Sequence, residues 1–134
     1  MNIALAALFV GASLLPPHPG TQLPATGLAT YYRPGIFEKV IANRERWGQI
    51  DRDACPECVG YAALLWPEDL GRTVCVDGHG PLLVVDMAAK HHRAGLIAKG
   101  WIIDLDWPVW EALGYPNRPT IVTVEDCDGE QKNQ

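Results

Sequence analysis

Two aspartates, Asp86 and Asp104, each stand at the end of a short apolar run that is typical of a β-strand. The runs that they end are residues 82–85 and 101–103. A carboxylate is costly to place in an apolar strand unless it is paired, hydrogen-bonded or used. Two carboxylates at the ends of neighbouring strands can face one cleft, as acid/base chemistry on a glycosidic bond requires. The pattern therefore leaves two interpretations open: Asp104 as a catalytic acid with Asp86 as its catalytic partner, or helix capping by each aspartate.

Aromatic and histidine side chains supply candidate contacts to a sugar. An aromatic ring presents an apolar face and, in Tyr and Trp, a polar edge, which suits a polysaccharide bound next to acids. His91 and His92 are adjacent on a predicted helix and point about 100° apart, so they are unsuited to sharing one metal ion. We predict no metal site, and we expect substrate binding by Tyr31, Tyr32, Trp47, His79, His92 and Trp107.

Six short apolar segments, separated by turn residues, predict a mainly β chain. Short strands of even length fit a small closed barrel better than a parallel array of strands joined by helices. The predicted strands cover residues 27–32, 58–66, 72–77, 82–86, 101–105 and 120–125. Two or three short helices complete this six-stranded barrel, at residues 37–44, 87–99 and 107–113. Trp101 and Trp110 are expected in its core.

Length and composition limit the classes of protein to which the chain can belong. Its 134 residues are enough for one domain, and 48% of them are hydrophobic, so the chain can bury a core. A net charge of −5 with scattered Lys and Arg argues against a nucleic-acid partner. No apolar run reaches the roughly 18 residues of a membrane-spanning helix. No motif indicates a nucleotide, zinc-protease or serine-hydrolase site, and no cofactor is expected.

The N-terminal residues are typical of a secretory leader. Residues 3–15 form a continuous apolar run, which Pro16 ends, and a polar spacer continues to Ala25. We therefore divide the chain into a signal peptide or apolar leader at 1–25, a barrel domain at 26–127 and a polar tail at 128–134. The mature chain is expected to be secreted, periplasmic or associated with the cell wall, without a membrane span, and to act as a monomer.

Four cysteines, an even number, follow this leader and favour two disulfides. Cys58 begins one predicted strand and Cys75 ends the next, and a tight turn joins the two strands, so these cysteines are expected to pair. Cys55 and Cys127 are then expected to tie the last strand to the charged loop before Cys55. Zinc binding and free or redox-active thiols remain alternatives, because Cys55 and Cys58 form a Cys-x-x-Cys motif.

Short motifs in the chain resemble those of the double-psi β-barrel domains found in expansins, barwin-like endoglucanases and the rare lipoprotein A family. The first predicted strand ends in Ala-Thr-Tyr-Tyr, and Gly-Pro precedes the strand that ends at Asp86. Ile-Asp-Leu around Asp104 is followed by a helix that ends in Leu-Gly. The resemblance covers residues 27–124. It implies a double-psi barrel, an essential carboxylate at Asp104 and a groove that Asp86 lines.

The resemblance also implies a function. Proteins of this group act on cell-wall polysaccharide or peptidoglycan, so either is the expected partner, with lytic transglycosylase-like cleavage or expansin-like loosening as the activity. Rare lipoprotein A members carry a groove histidine in a Thr-Ala-Ala-His segment, and the corresponding run here, residues 61–65, has none. A non-catalytic barrel that serves as a binding or structural module is therefore the alternative.

Overall fold

Six β-strands close into one barrel in the computed structural model, which describes residues 19–127. The strands are β1 Ala25–Tyr31, β2 Gly60–Leu64, β3 Thr73–Val76, β4 His79–Met87, β5 Trp101–Leu105 and β6 Thr120–Asp126. Their order around the barrel is β1-β5-β2-β4-β3-β6. The prediction of a mainly β chain with a small six-stranded barrel is confirmed. Residues 1–18 of the predicted leader and the predicted tail at 128–134 lie outside the described residues.

Most neighbours in the barrel are not neighbours in the chain. β1 pairs in parallel with β5, and β2 pairs in parallel with β4, whereas the remaining pairs are antiparallel. Parallel strands cannot be joined by a tight hairpin, so long connections cross between them. As a result β4 and β5, the two strands that carry Asp86 and Asp104, both flank β2.

The barrel interior is filled by alternate side chains of the strands. Ile103 and Leu105 of β5 are fully buried in it, so Asp104 between them faces outward. Trp110 packs in the same interior cluster, and its burial confirms its expected place in the core. The other buried residues of the cluster are Ala29, Ala62, Leu64, Val74, Val76, Leu82, Val84, Val109, Val122 and Val124.

Three α-helices, α1 Ile36–Arg46, α2 Lys90–Ala98 and α3 Trp107–Leu113, complete the fold of the described residues. Phe37 and Ile41 of α1 are buried in a second cluster on the outer face of β4. Arg44 follows Ile41 by three positions and so lies on the same face of the helix. Within residues 19–127, no helix combines the length and the apolar character needed to cross a membrane.

A fully buried carboxylate, Asp69, anchors the start of the domain. It accepts hydrogen bonds from the backbone N–H and the hydroxyl of Thr21, at 2.8 and 2.7 Å, and from the Trp66 N–H at 2.9 Å. Arg72 Nη1 lies 2.9 Å from Asp69 Oδ1. Leu23 packs against the interior cluster. The folded unit therefore includes residues that precede the predicted domain start at 26.

Two disulfides join Cys55 to Cys58 and Cys75 to Cys127, with Cα–Cα distances of 5.3 and 5.2 Å. The prediction of two disulfides is confirmed, but the predicted pairs, Cys58 with Cys75 and Cys55 with Cys127, are wrong. That pairing required the strands after Cys58 and around Cys75 to be adjacent, whereas β4 separates β2 from β3. Cys75 instead lies opposite Glu125 of β6, two residues before Cys127.

Removing the Cys75–Cys127 disulfide should destabilise the protein by on the order of 2–4 kcal/mol, and by more than removing Cys55–Cys58. The first pair is 52 positions apart and the second only 3, so the first restricts the unfolded chain far more. Urea unfolding of the two double Cys→Ala variants measures the two losses. Equal losses would contradict this ranking.

Candidate functional site

Asp86 and Asp104 lie on either side of the same residue, Ala63 of β2. Ala63 is the register partner of Asp86 in β4 and of Asp104 in β5. Since adjacent strands are about 4.8 Å apart, the two aspartate backbones are separated by roughly 10 Å. Register partners project from the same face of a sheet, and the side chain of Ala63 is only a methyl group. The two carboxylates therefore face a shared space with little between them.

An extra residue in β4 turns Asp86 outward. The register with β2 passes from Val84 directly to Asp86 and skips Val85. If all three residues alternated regularly, Asp86 would lie on the same side as Val84, inside the barrel. The irregularity instead lets two consecutive residues face outward: Val85 packs in the cluster with Phe37 of α1, and Asp86 faces the space beside Ala63.

An open groove of about 900 Å³ lies over the two aspartates. Segments of β1, β2, β4 and β5 and both ends of α2 form its walls. Its volume lies within the range of clefts that hold small ligands. Besides Asp86 and Asp104, its polar and charged lining consists of Thr30, Tyr32, Arg44, Lys90, His92, Arg93 and Lys99. The fold thus brings both predicted catalytic residues into one cavity.

Asp104 is held by a series of hydrogen bonds that begins at Trp101. The register of β5 with β1 skips Ile102, so Trp101 and Asp104 reach the same groove. The Trp101 indole N–H donates to Thr30 Oγ1 at 2.9 Å, and the Thr30 hydroxyl donates to Asp104 Oδ1. Burial raises the pKa of Asp104 to about 6; the Trp101 indole opposes this rise, and the negative charge of Asp86 adds to it. Asp104 can therefore carry a proton close to neutral pH.

The free energy of unfolding should fall as the pH rises from about 4 to about 6, because of Asp104. The pKa of its carboxyl is raised from 3.8 to about 6 by folding, so the folded state binds more protons in this window. The stabilising contribution is complete below the unfolded pKa and is lost as the pH passes the folded pKa. Asp104→Asn cannot titrate, so its stability relative to wild type should improve by up to about 3 kcal/mol between pH 4 and 7.

Urea unfolding of wild type and Asp104→Asn across this pH range measures the effect. The matched control is Asp53→Asn, which removes the same charge from an exposed side chain in the short 3-10 helix Arg52–Ala54. If the free energies of unfolding of wild type and Asp104→Asn change in parallel with pH across this range, the pKa of Asp104 is not raised.

Asp86 has partners of a different kind. Arg44 Nε and Nη2 lie 3.1 and 2.5 Å from its Oδ1, and the two side chains of this ion pair are only 14% and 11% exposed. The Tyr32 hydroxyl donates to Asp86 Oδ2 at 2.7 Å. Burial, together with the charge and the hydrogen bond of Asp86, raises the pKa of Tyr32 well above its usual range, so this hydroxyl stays a donor. Asp86 is thus fixed by a guanidinium and a phenol.

Neither aspartate caps the helix that follows it. The N-cap of α2 is Ala89 and the N-cap of α3 is Asp106, and neither makes a side-chain capping hydrogen bond. The carboxylates of Asp86 and Asp104 bond instead to side chains of other elements, Tyr32 among them. The capping alternative is therefore wrong for both.

Of the six residues predicted to bind substrate, Tyr32 and His92 line the groove. The ring of Tyr32 stacks on Phe37, with centroids 4.2 Å apart, so one of its faces is covered. His92 is exposed on the first turn of α2. These two side chains are the predicted contacts that the fold brings together with the acids.

The other four predicted contacts lie away from the groove lining. Tyr31 and Trp107 pack on each other, with ring centroids 5.0 Å apart, and both contact the interior cluster. Because Tyr31 and Tyr32 are consecutive in an extended chain, they project to opposite sides. His79 begins β4, at the end opposite to Asp86, and Trp47 follows α1 with 63% of its surface exposed. The predicted aromatic shelf beside the acids is not formed by these residues.

Three of the groove residues that hold the two aspartates in place escape the sequence reasoning. Thr30 and Arg44 are not singled out by it. Trp101 is predicted to be a core residue; it is buried, with 6% of its surface exposed, but it also lines the groove. A signal for Arg44 exists in the sequence: it follows Phe37 by seven positions and Ile41 by three, which is the spacing of the apolar face of a helix. Thr30 and Trp101 carry no comparable signal.

Metal and thiol chemistry find no support in the part of the chain that the structure describes. In residues 19–127 no group of three or more His, Cys, Asp or Glu side chains is placed to hold a metal ion. Cys55 and Cys58 are joined in a disulfide, so neither sulfur is available as a thiolate ligand. The disulfide argues against the zinc and free-thiol alternatives, whereas the redox-active alternative stays a prediction, because the oxidised form of such a pair is a disulfide.

No protein-family model matches this chain, and no curated protein or solved structure matches it either. The function of the groove therefore has to be argued from its geometry and from the motif resemblance.

Proposed function

We propose that the chain is a cell-wall-directed protein that binds a strand of polysaccharide or peptidoglycan in the groove, where Asp104 donates a proton to a glycosidic oxygen. The observation that carries the proposal is the open groove of about 900 Å³ that presents the Asp104 carboxyl beside Asp86. An open groove suits a polymer because both ends of the bound strand can leave the site. A carboxyl whose pKa is raised to about 6 can supply the proton that general-acid cleavage requires.

The architecture agrees with the family resemblance on which the proposal also draws. A closed six-stranded barrel with two parallel strand pairs is compatible with a double-psi topology. The outward position of Asp104 on β5 is what an essential groove carboxylate of the expansin type needs. Two disulfides are compatible with an oxidising compartment, so we propose that the protein is secreted. We further propose that it acts at the wall as a monomer.

The proposed cleavage uses one carboxyl as both acid and base. Protonated Asp104 gives its proton to the glycosidic oxygen as the bond from that oxygen to the anomeric carbon breaks, and positive charge develops on the sugar. Asp86 lies on the far side of Ala63, and its ion pair with Arg44 offsets most of its charge, so the developing charge is stabilised mainly by the carboxylate that Asp104 becomes when it gives up its proton. A hydroxyl, from water or from the same sugar, then bonds to the anomeric carbon and returns its proton to Asp104.

A second function, binding or loosening of the wall without cleavage, is favoured by the partners of Asp86. Its Oδ1 is engaged by Arg44 and its Oδ2 by Tyr32, so Asp86 is not free to act as a nucleophile or to activate water. The position that the rare lipoprotein A motif gives to a histidine is Leu64 here, and its side chain is fully buried in the barrel interior. Asp86 therefore does not serve Asp104 as a second free acid or base.

Binding of the purified protein to insoluble peptidoglycan and to cellulose, followed by analysis of released fragments for new reducing ends and for anhydro sugars, tests both functions. Two substitutions at exposed alanines make the test specific for the groove: Ala89→Trp lies in the groove lining, whereas Ala94→Trp lies on α2 outside it. Binding that Ala89→Trp weakens and Ala94→Trp preserves supports the groove. Release of fragments supports cleavage, binding without release supports loosening, and no binding to any wall material excludes both.

A further inference from the structure

We propose that the groove selects glycans that carry carboxylates, and that Lys90 and Lys99, at the two ends of α2, recognise them. This inference rests on the proposed function and specifies its ligand. The observation behind it is a reversal of charge: the chain carries a net charge of −5, yet basic residues outnumber acidic ones in the groove lining. The four basic residues are Arg44, Lys90, Arg93 and Lys99, and the two acidic residues are Asp86 and Asp104.

Both arginines of the groove already have partners. Arg44 forms the ion pair with Asp86. Arg93 Nε donates to the carbonyl of Leu65 at 2.7 Å, and its guanidinium lies over the ring of Trp66, 4.3 Å from the centroid. These two arginines hold β4 and α2 in place. Their guanidinium groups already interact with other parts of the protein, so they are less available to a ligand.

The two lysines are differently placed. Lys90 begins α2 and Lys99 follows its last residue, and both side chains are exposed. Neither makes an ion pair with any described carboxylate. Nine residues of helix separate them by roughly 13 Å along the axis. The groove therefore has one lysine at each end of its α2 wall, with His92 between them in the chain.

The charge already present in the groove does not cancel this pair. Asp86 is neutralised by Arg44, and burial raises the pKa of Asp104, so this carboxyl carries less negative charge near neutral pH than an ordinary aspartate. A lysine ammonium is a compact point charge on a flexible stem, so it can meet one anionic oxygen without the fixed two-pronged geometry of an arginine fork. Two separated ammonium groups thus match a polymer with singly charged carboxylates spaced along it. Uronic acids of a polysaccharide and the peptides of peptidoglycan both supply such groups.

The test compares affinities for polygalacturonate, for soluble peptidoglycan fragments with and without their peptides, and for neutral cello-oligosaccharides. Lys90→Gln/Lys99→Gln should bind the carboxylated ligands roughly 3- to 20-fold more weakly than wild type and the neutral ligand equally well. Added salt should weaken the wild-type affinity for carboxylated ligands and have little effect on the variant. The matched control, Arg33→Gln/Lys39→Gln, removes two exposed positive charges outside the groove and should behave as wild type.

The two sources of carboxylate give different outcomes. Preference for polygalacturonate assigns the lysines to uronic acids, and preference for peptide-bearing over peptide-free fragments assigns them to peptidoglycan peptides. Equal affinity of wild type for neutral and carboxylated glycans, unchanged in the lysine variant, overturns this inference and leaves the proposed function standing. If the wild-type protein binds none of these glycans, the proposed function itself is overturned.

Discussion

Asp104→Asn should lower the rate of wall-glycan cleavage by roughly 10²–10⁴-fold and leave the barrel folded. The substitution removes the proton that the proposed mechanism delivers to the glycosidic oxygen. It keeps the size of the side chain and an oxygen that can accept the hydrogen bond of Thr30. Fragment release from peptidoglycan or cellulose, measured together with thermal unfolding, gives both quantities. Unchanged cleavage in a folded Asp104→Asn protein would remove Asp104 from the mechanism.

Two neighbouring aspartates serve as controls for this result. Asp106→Asn alters the N-cap of α3, which lies outside the groove lining and makes no side-chain capping bond, so cleavage should stay close to the wild-type rate. Asp86→Asn leaves the largely buried Arg44 guanidinium without its counter-charge and should lower the melting temperature. Asp104→Asn should not lower the melting temperature at neutral pH, because the buried carboxylate is itself costly there. Opposite effects on stability therefore distinguish the two groove acids.

Asp69→Ala should lower the free energy of unfolding by roughly 3–5 kcal/mol, a large part of the stability of a small domain. Asp69 is fully buried and accepts hydrogen bonds from two donors of Thr21, from the Trp66 N–H and from Arg72. Its removal takes away the acceptor of the buried Thr21 donors and the nearest counter-charge of Arg72. Urea unfolding at neutral pH measures the loss.

The matched control for Asp69 is the other carboxylate that contacts the same arginine. Asp126 Oδ1 lies 3.1 Å from Arg72 Nη2, but its side chain is 53% exposed. Asp126→Ala should therefore cost less than about 1 kcal/mol, as exposed ion pairs do. A loss for Asp69→Ala no larger than that for Asp126→Ala would show that the buried hydrogen bonds do not stabilise the domain.

Much of the fold could be predicted because each strand is an apolar run that ends at turn residues. The final helix is predicted at residues 107–113 and observed at Trp107–Leu113, since Asp106 and Gly114 mark its two ends clearly. The strand order could not be derived in the same way. It depends on long-range pairing, which leaves no local pattern, and the error in pairing Cys58 with Cys75 follows directly from it.

The site was predictable only where the chemistry is visible in one residue. Asp86 and Asp104 could be identified as candidate site residues because a carboxylate is costly to place in an apolar strand unless it is paired or used. Their common neighbour Ala63, and the skipped Val85 that turns Asp86 outward, are properties of register, which a single sequence does not encode locally. Arg44 reaches Asp86 from 42 positions away in the chain, through the docking of α1.

The closure of the barrel also governs when the groove can form. β1, which supplies Thr30 and its share of one groove wall, is paired with β5 on one side and with β6 on the other, so that Ala25 lies opposite Val124. Both edges of the first strand are therefore hydrogen-bonded only after the last strand has paired with it. Such non-local closure makes folding slow compared with helical domains of the same size, because the loop entropy is lost before the contacts form. We therefore expect the groove wall that β1 supplies to become stable only once β6 has been synthesised and has paired with β1.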